Sequence, residues 1–132
     1  MHDSDEEEAG SVLGLQEYQK WMELWEGMME QYCPGRSSVF DLVLKLIRFT
    51  MKGHRLSVLD VGSGAGSFTA RILDAFPHAA VCAVDRSSRN LHIGDTLHRA
   101  EGASRVTWIQ ADVNDTDWAS ALPTEPFDVV LM

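Results

Sequence analysis

The sequence has few cysteines, and its histidines are isolated from one another. Only two cysteines, Cys33 and Cys82, occur in 132 residues, and they do not form a CxxC pair. This spacing favours a reduced chain, as in a cytoplasmic protein, over a disulfide-linked framework. The histidines lack the spacing of a metal-ligand set, so no metal site is predicted.

Positive charge and long apolar runs are also scarce. The chain has 11 Lys and Arg residues against 20 Asp and Glu residues, for a net charge of −9. The basic residues are scattered, so nucleic acid is not predicted as a partner. No apolar run is long enough to cross a bilayer, and the acidic N-terminus resembles neither a signal nor a transit peptide. We therefore expect a cytoplasmic protein without a membrane partner.

The first third of the chain divides into an acidic segment and a helical segment. Residues 1–14 carry a run of Asp and Glu with little apolar content, which predicts a disordered tail. Residues 15–53 are predicted as two helices. The first helix has one apolar face, formed by residues at steps of three and four: Leu15, Tyr18, Met22, Trp25, Met29 and Tyr32. Ser38 and Asp41 resemble a capping box that would open the second helix.

From residue 54 onward, short apolar runs alternate with helical segments. Strands are predicted over residues 55–61, 80–84, 105–110 and 127–132. Helices are predicted over residues 67–76, from the N-cap Ser87 to about residue 100, and over 116–122. This alternation predicts an α/β fold with a Rossmann-like, doubly wound parallel sheet and helices on both faces. Because the last apolar strand would form a bare sheet edge, we expect residues 54–132 to be the first half of a larger domain, truncated after its fourth strand.

A glycine-rich loop, DVGSGAG, joins the first strand to the next helix. A phosphate-binding P-loop would need a lysine, which is lacking here. A dinucleotide fingerprint would place its third small residue at Ser67, whereas the third glycine comes one position earlier, at Gly66. Asp60 would also repel a pyrophosphate. A ligand with an ammonium group would instead be attracted to this carboxylate.

At this loop the sequence resembles the class I S-adenosylmethionine-dependent methyltransferases, whose first motif is D/E-x-G-x-G-x-G after the first strand. The resemblance continues through Asp85, after the second strand, and Asp112, after the third. It implies that Asp60 binds the methionine ammonium, Asp85 the ribose hydroxyls, and Asp112 with the backbone of Val113 the adenine. The full set of cofactor-binding residues implied in this way is Asp60, Gly62, Ser63, Gly64, Gly66, Asp85, Arg86, Asp112 and Val113.

The resemblance implies methyl transfer from S-adenosylmethionine to an oxygen, nitrogen or carbon of a small-molecule substrate. In this family, N-terminal helices commonly lie over the cofactor, which makes Tyr18, Trp21 and Trp25 candidates for a substrate lid. It assigns no catalytic base. Two other functions remain open at this stage. One is a non-catalytic, methyltransferase-like binding protein; the other, more distant, is an NAD-dependent oxidoreductase, in which Asp85 could also hold a ribose.

Overall fold

The computed structural model describes residues 3–53, 55–102 and 104–132, with side chains from residue 14 onward. Two helices come first, α1 (Asp3–Tyr32) and α2 (Arg36–Thr50). The sequence predicted residues 1–14 as disordered, whereas α1 already begins at Asp3. Glutamate is a strong helix former, and acidic residues near a helix N-terminus complement the helix dipole, so the acidic run is compatible with a helix start. Met1 and His2 lie outside the described residues.

The turn between α1 and α2 is made by Gly35, which has a left-handed backbone with φ +85°. This conformation reverses the chain within three residues, so α2 begins at Arg36. The predicted cap at Ser38 is wrong, because Ser38 lies inside the first turn of α2. The glycine backbone, and not a hydroxyl side chain, defines where this helix begins.

A four-stranded, fully parallel sheet follows, in the order β3-β2-β1-β4. The elements in chain order are β1 (Ser57–Val61), α3 (Ser67–Ala75), β2 (Ala80–Asp85), α4 (Ser88–Ala100), β3 (Val106–Gln110), a 3-10 turn (Trp118–Ala121) and β4 (Val129–Leu131). The predicted α/β fold with a Rossmann-like parallel sheet and two preceding helices is confirmed. Each predicted strand is present, with ends that differ by at most two residues.

The helices α2, α3 and α4 pack on the same face of the sheet. Ile47 of α2 and Ile72 of α3 form a core with Val58 and Val81 of the strands. The chain moves from β1 to β2 to β3 in one direction across the sheet, and right-handed crossovers then place both connecting helices on one face.

On the opposite face, the buried strand residues are covered by shorter segments. Leu59 and Val84 pack there against Trp118, Leu122 and Phe127. Helices were predicted on both faces of the sheet. Among the described residues, the helical element that packs on this face is the 3-10 turn.

Arg105 fixes the end of α3 to the start of β2. Its guanidinium donates hydrogen bonds to the carbonyl oxygens of Leu73 (3.0 Å), Phe76 (2.8 Å) and Ala79 (3.0 Å). The last carbonyl groups of a helix lack intrahelical N–H donors. The Arg105 guanidinium supplies donors of this kind where the chain leaves α3. Within the part of the chain that the structure describes, no helix is both long and apolar enough to cross a membrane.

Candidate functional site

A cleft of about 450 Å³ lies where the carboxyl ends of β1 and β4 meet the glycine loop. Its lining includes Asp60, the loop residues 62–65, Trp21, Trp25 and Leu131. β1 is the point at which the strand order reverses, because β2 lies on one side of it and β4 on the other. Open α/β sheets bind their ligands at this kind of switch point.

The three glycines of the loop have different surroundings. All have positive φ, at +75° for Gly62, +57° for Gly64 and +88° for Gly66. A Cβ at Gly62 or Gly64 would meet nothing within 4 Å, whereas one at Gly66 would lie 2.7 Å from Trp108 and 2.9 Å from His98. Gly62 and Gly64 therefore keep space open in the cleft. Gly66, although predicted as cofactor-binding, is buried and leaves room for the indole behind the loop.

Three main-chain N–H groups at the start of the loop are bonded to β2. Gly62 and Ser63 both donate to the carbonyl oxygen of Val84, at 2.7 and 3.0 Å. Gly64 donates to Oδ1 of Asp85 at 3.2 Å. Loops that bind phosphate turn such N–H groups toward the ligand. This loop uses them to attach itself to β2.

Asp60, near the end of β1, is buried beside the cleft. It is 6% exposed, and its Oδ2 accepts a 2.7 Å hydrogen bond from the hydroxyl of Thr69 on α3. Burial raises the pKa of Asp60, the nearby charge of Asp85 raises it further, and the Thr69 hydrogen bond opposes both effects. Thr69 is fully buried. Thr69 was not predicted from the sequence, although a threonine on the apolar face of α3 was a visible signal.

Asp85, the last residue of β2, connects the loop to α4. Its Oδ1 accepts from Gly64, and its Oδ2 accepts from the N–H of Ser87 at 3.0 Å. Ser87 in turn accepts from the N–H of Asn90 at 3.2 Å, which confirms its prediction as the N-cap of α4. Each carboxylate oxygen can accept more than one hydrogen bond, so Asp85 retains capacity for a ligand.

A second cavity, of about 370 Å³, continues from Gly62 past Asp85 to the residues that follow β3. Arg86, Asp112 and Val113 contribute to its lining. Asp112 accepts the N–H of Asn114 at 2.9 Å, a local bond that shapes this turn. The acidic residues at the ends of the first three strands therefore lie along two adjoining cavities, which share Val61 and Gly62.

Two of the three predicted lid residues reach the cleft. Trp21 and Trp25 line it and stack on each other, with ring centroids 5.7 Å apart and planes inclined by 6°. Tyr18 instead packs edge-on against His92 of α4, with centroids 5.8 Å apart. Phe40 of α2, which the sequence analysis did not single out, also lines the cleft. Within the described ranges, there is no group of three or more His, Cys, Asp or Glu side chains that could hold a metal ion.

The comparison with protein families identifies the chain. The model of a family described as "Methyltransferase domain" matches residues 58–132. The chain belongs to this family. The match begins in β1 and includes the glycine loop, both cavities' acidic residues and β4.

Two curated relatives are methyltransferases. The chain is 26% identical over 98 residues to malonyl-[acyl-carrier protein] O-methyltransferase of Paenibacillus sp. (strain JDR-2), covering 73% of this chain and 35% of that protein. It is 35% identical over 98 residues to release factor glutamine methyltransferase of Gloeobacter violaceus (strain ATCC 29082 / PCC 7421), covering 74% and 32%. The chain thus spans about a third of the length of these relatives.

A solved structure shows the same fold along nearly the whole chain. The plantazolicin methyltransferase BpumL, in complex with a triazolic desmethylPZN analog and SAH, superposes with a TM-score of 0.60 at 18% identity. The match covers 95% of this chain and 48% of BpumL. The similarity therefore includes the two N-terminal helices as well as the sheet.

Proposed function

We propose that this domain belongs to an S-adenosylmethionine-dependent methyltransferase that methylates an oxygen, nitrogen or carbon of a small molecule. The family membership, the fold and the methyltransferase relatives support the reaction. The bound SAH in BpumL supports the cofactor. We propose residues 15–53 as a lid segment over a cofactor-binding unit of residues 54–132. A cytoplasmic location is part of the same proposal, supported by two free cysteines, one exposed and one buried.

The single observation that carries the choice of cofactor is the hydrogen bonding of the glycine loop. Its N–H groups at Gly62, Ser63 and Gly64 are bonded within the protein. Asp60 and Asp85, beside the loop, add negative charge. Such a site suits a cationic ligand without phosphate and disfavours a pyrophosphate. S-adenosylmethionine has a sulfonium, an ammonium and no phosphate, so the residues present fit it.

In this proposal each part of the site has a defined role. Asp60 would hold the methionine ammonium, and the open space at Gly62 and Gly64 would admit the chain that bears it. Asp85 would accept the ribose hydroxyls, and Asp112 with the backbone of Val113 would bind the adenine edge. Ser63 and Arg86 border these contacts, and Gly66 acts from behind, by packing.

When bound, S-adenosylmethionine supplies a methyl group that an acceptor lone pair takes as the carbon–sulfur bond breaks and its electron pair returns to sulfur. The protein then has to align the acceptor and exclude water. Trp21, Trp25 and Phe40 line the cleft from the lid segment and are suited to both tasks.

The first experiment compares S-adenosylhomocysteine with adenosine by calorimetry in wild-type protein and Asp60→Asn. The asparagine can still accept from Thr69 but has no charge for the ammonium. We expect S-adenosylhomocysteine affinity to fall about ten- to a hundredfold, as for a hydrogen bond to a charged group, with adenosine unchanged. Asp74→Asn, an exposed carboxylate change on α3, should leave both affinities unchanged.

Three results would contradict the proposal in different ways. Equal losses for the two ligands in Asp60→Asn would remove Asp60 from the ammonium site. Tighter binding of NAD than of S-adenosylhomocysteine would indicate an oxidoreductase. Binding of S-adenosylhomocysteine, without transfer of radiolabelled methyl from S-adenosylmethionine to any acceptor, would indicate a non-catalytic binding protein.

A further inference from the structure

We propose that the methyl acceptor is an uncharged, flat, apolar ring compound, selected by an aromatic wall formed by Trp21, Trp25 and Phe40. This inference rests on the proposed function and concerns the substrate side of the same cleft. It follows from three features of the cleft: its aromatic lining, its size and its charge.

The aromatic wall combines rings from two helices. Trp21 and Trp25 lie one turn apart on α1, with their ring planes only 6° from parallel. Phe40 of α2 stacks on Phe68 of α3, with centroids 4.5 Å apart and planes inclined by 19°. The guanidiniums of Arg36 and Arg71 also lie over the Phe40 ring, so Phe40 contributes its edge to the wall. All four rings line the cleft. Aromatic faces of this kind favour flat partners in offset or edge-to-face contact.

The size of the cleft points to a small acceptor. Ligand pockets for small molecules commonly measure about 300–1,000 Å³, and this cleft, of about 450 Å³, lies near the lower end. The cofactor's methionine end would share this volume with the acceptor, because Asp60 and the glycine loop line the same cleft. We therefore infer an acceptor of one or two fused rings.

The charges in the cleft disfavour an anionic acceptor. Among the described residues that line it, Arg36 is the one with a fixed positive charge. Its guanidinium donates to Oε2 of Glu26 at 2.7 Å and lies 4.7 Å from the centre of the Phe40 ring. The Arg36 side chain is only 16% exposed. This cation is already paired and covered. A carboxylate, sulfonate or phosphate on the acceptor would therefore be repelled by Asp60, with no free positive charge among the described lining residues to offset the repulsion.

The test uses two probes with the same ring system, 2-naphthol and 2-naphthalenesulfonate. Their affinities are measured by calorimetry on the protein saturated with S-adenosylhomocysteine. We expect 2-naphthol to bind at least tenfold more tightly than the sulfonate. Trp25→Ala should weaken 2-naphthol about tenfold, the loss expected for one aromatic contact. Leu24→Ala is the matched control, because Leu24 lies on the same helix and is 67% exposed. This variant should bind 2-naphthol with wild-type affinity.

A second variant tests the charge argument by a gain of binding. Glu26→Ala removes the carboxylate that accepts from Arg36 and so frees the guanidinium. We expect sulfonate affinity to rise about tenfold, as for a new charge-assisted hydrogen bond, with 2-naphthol within twofold of wild type. This result does not depend on whether Trp25→Ala folds.

The outcomes separate this inference from the proposed function. Sulfonate binding as tight as 2-naphthol in wild type, or equal losses in Trp25→Ala and Leu24→Ala, would overturn the inference. S-adenosylhomocysteine binding with no 2-naphthol binding would overturn it while leaving the proposed function intact. Specific 2-naphthol binding in a protein that does not bind S-adenosylhomocysteine would support the aromatic wall and contradict the proposed function.

Discussion

Replacing Thr69 with valine tests whether this buried hydroxyl prepares Asp60 for a cationic ligand. Valine has nearly the shape of threonine but cannot donate, so Thr69→Val removes the 2.7 Å bond to Oδ2 of Asp60. Both side chains are buried. The substitution therefore leaves a carboxylate oxygen in the interior with a lost donor and changes little else in the packing.

The expected magnitude follows from the charge on the acceptor. A hydrogen bond to a charged group contributes about 1.5–3 kcal/mol. For a chain of this size, that loss corresponds to a Tm lower by roughly 5–12 °C. The Thr69 hydrogen bond lowers the pKa of Asp60, so it favours the ionised form. Its contribution to stability is present above the folded pKa of Asp60 and diminishes as the pH falls through that value.

The assay is S-adenosylhomocysteine affinity as a function of pH, by calorimetry, alongside thermal melts. Binding the ligand's ammonium requires ionised Asp60, so affinity should decrease on acidification. In Thr69→Val the pKa of Asp60 rises further, and the decrease should begin at a higher pH than in wild type. Thr69→Ser restores the hydroxyl and should restore the wild-type profile.

A purely structural role for Thr69 would give a different result. Thr69→Val would then lower Tm but leave the pH profile of ligand affinity unchanged, and Thr69→Ser would not differ from it in that profile. Thr96→Val is the matched control, because the Thr96 hydroxyl donates to a carbonyl of its own helix, at 2.8 Å, and not to the site. Either of these results, or a shifted profile in Thr96→Val, would refute the reasoning.

Three further predictions concern stability, measured by urea unfolding. Gly66→Ala should lower the free energy of unfolding by about 3 kcal/mol, because the new Cβ would collide with Trp108 and the backbone has a positive φ. Gly62→Ala should lower it by only about 1 kcal/mol, from backbone strain alone. Equal losses would contradict the assignment of Gly66 to packing. Burial raises the pKa of Asp60, so the native state binds the proton more tightly than the unfolded chain does. The free energy of unfolding should therefore decrease as the pH rises from the ordinary pKa of an aspartate to the pKa of Asp60 in the folded protein. Asp60→Asn should abolish this pH dependence and be more stable than wild type at pH 7. Arg105→Lys should lose about 1–3 kcal/mol, since a lysine cannot reproduce the fork that donates to three carbonyls; an unchanged midpoint would show that these bonds contribute no net stability.

The strands and the positions of the acidic residues could be predicted from the sequence because both depend on local pattern. Apolar runs of five or six residues separated by helical segments have few solutions other than a parallel sheet. In such a sheet, Asp60 and Asp85 near the ends of adjacent strands must lie at the same edge. Register adds the detail that Asp60 pairs with Ala83 and Val61 with Val84, which places the start of the loop beside the end of β2.

The surroundings of the loop could not be predicted, because they depend on what the fold brings behind and above it. The motif presents Gly62, Gly64 and Gly66 as equivalent, and the positions of His98 and Trp108, more than thirty residues later, distinguish Gly66. Phe40 reaches the cleft because the left-handed Gly35 sets the direction of α2. A composition or periodicity argument contains neither fact.

The division of work among these residues suggests why the loop is suited to a ligand without phosphate. A phosphate-binding loop must leave its N–H groups free, and its conformation is then completed by the ligand. Here Val84 and Asp85 accept those N–H groups, so β2 holds the loop in shape before any ligand arrives. Binding then costs less loop ordering. Asp85→Ala should therefore reduce S-adenosylhomocysteine affinity in two ways, by removing a ribose contact and by releasing Gly64. Hydrogen exchange of the Gly64 amide in the ligand-free protein separates these two effects, because only loss of the loop contact accelerates this exchange. Unchanged exchange in Asp85→Ala would leave Asp85 with the ribose role alone.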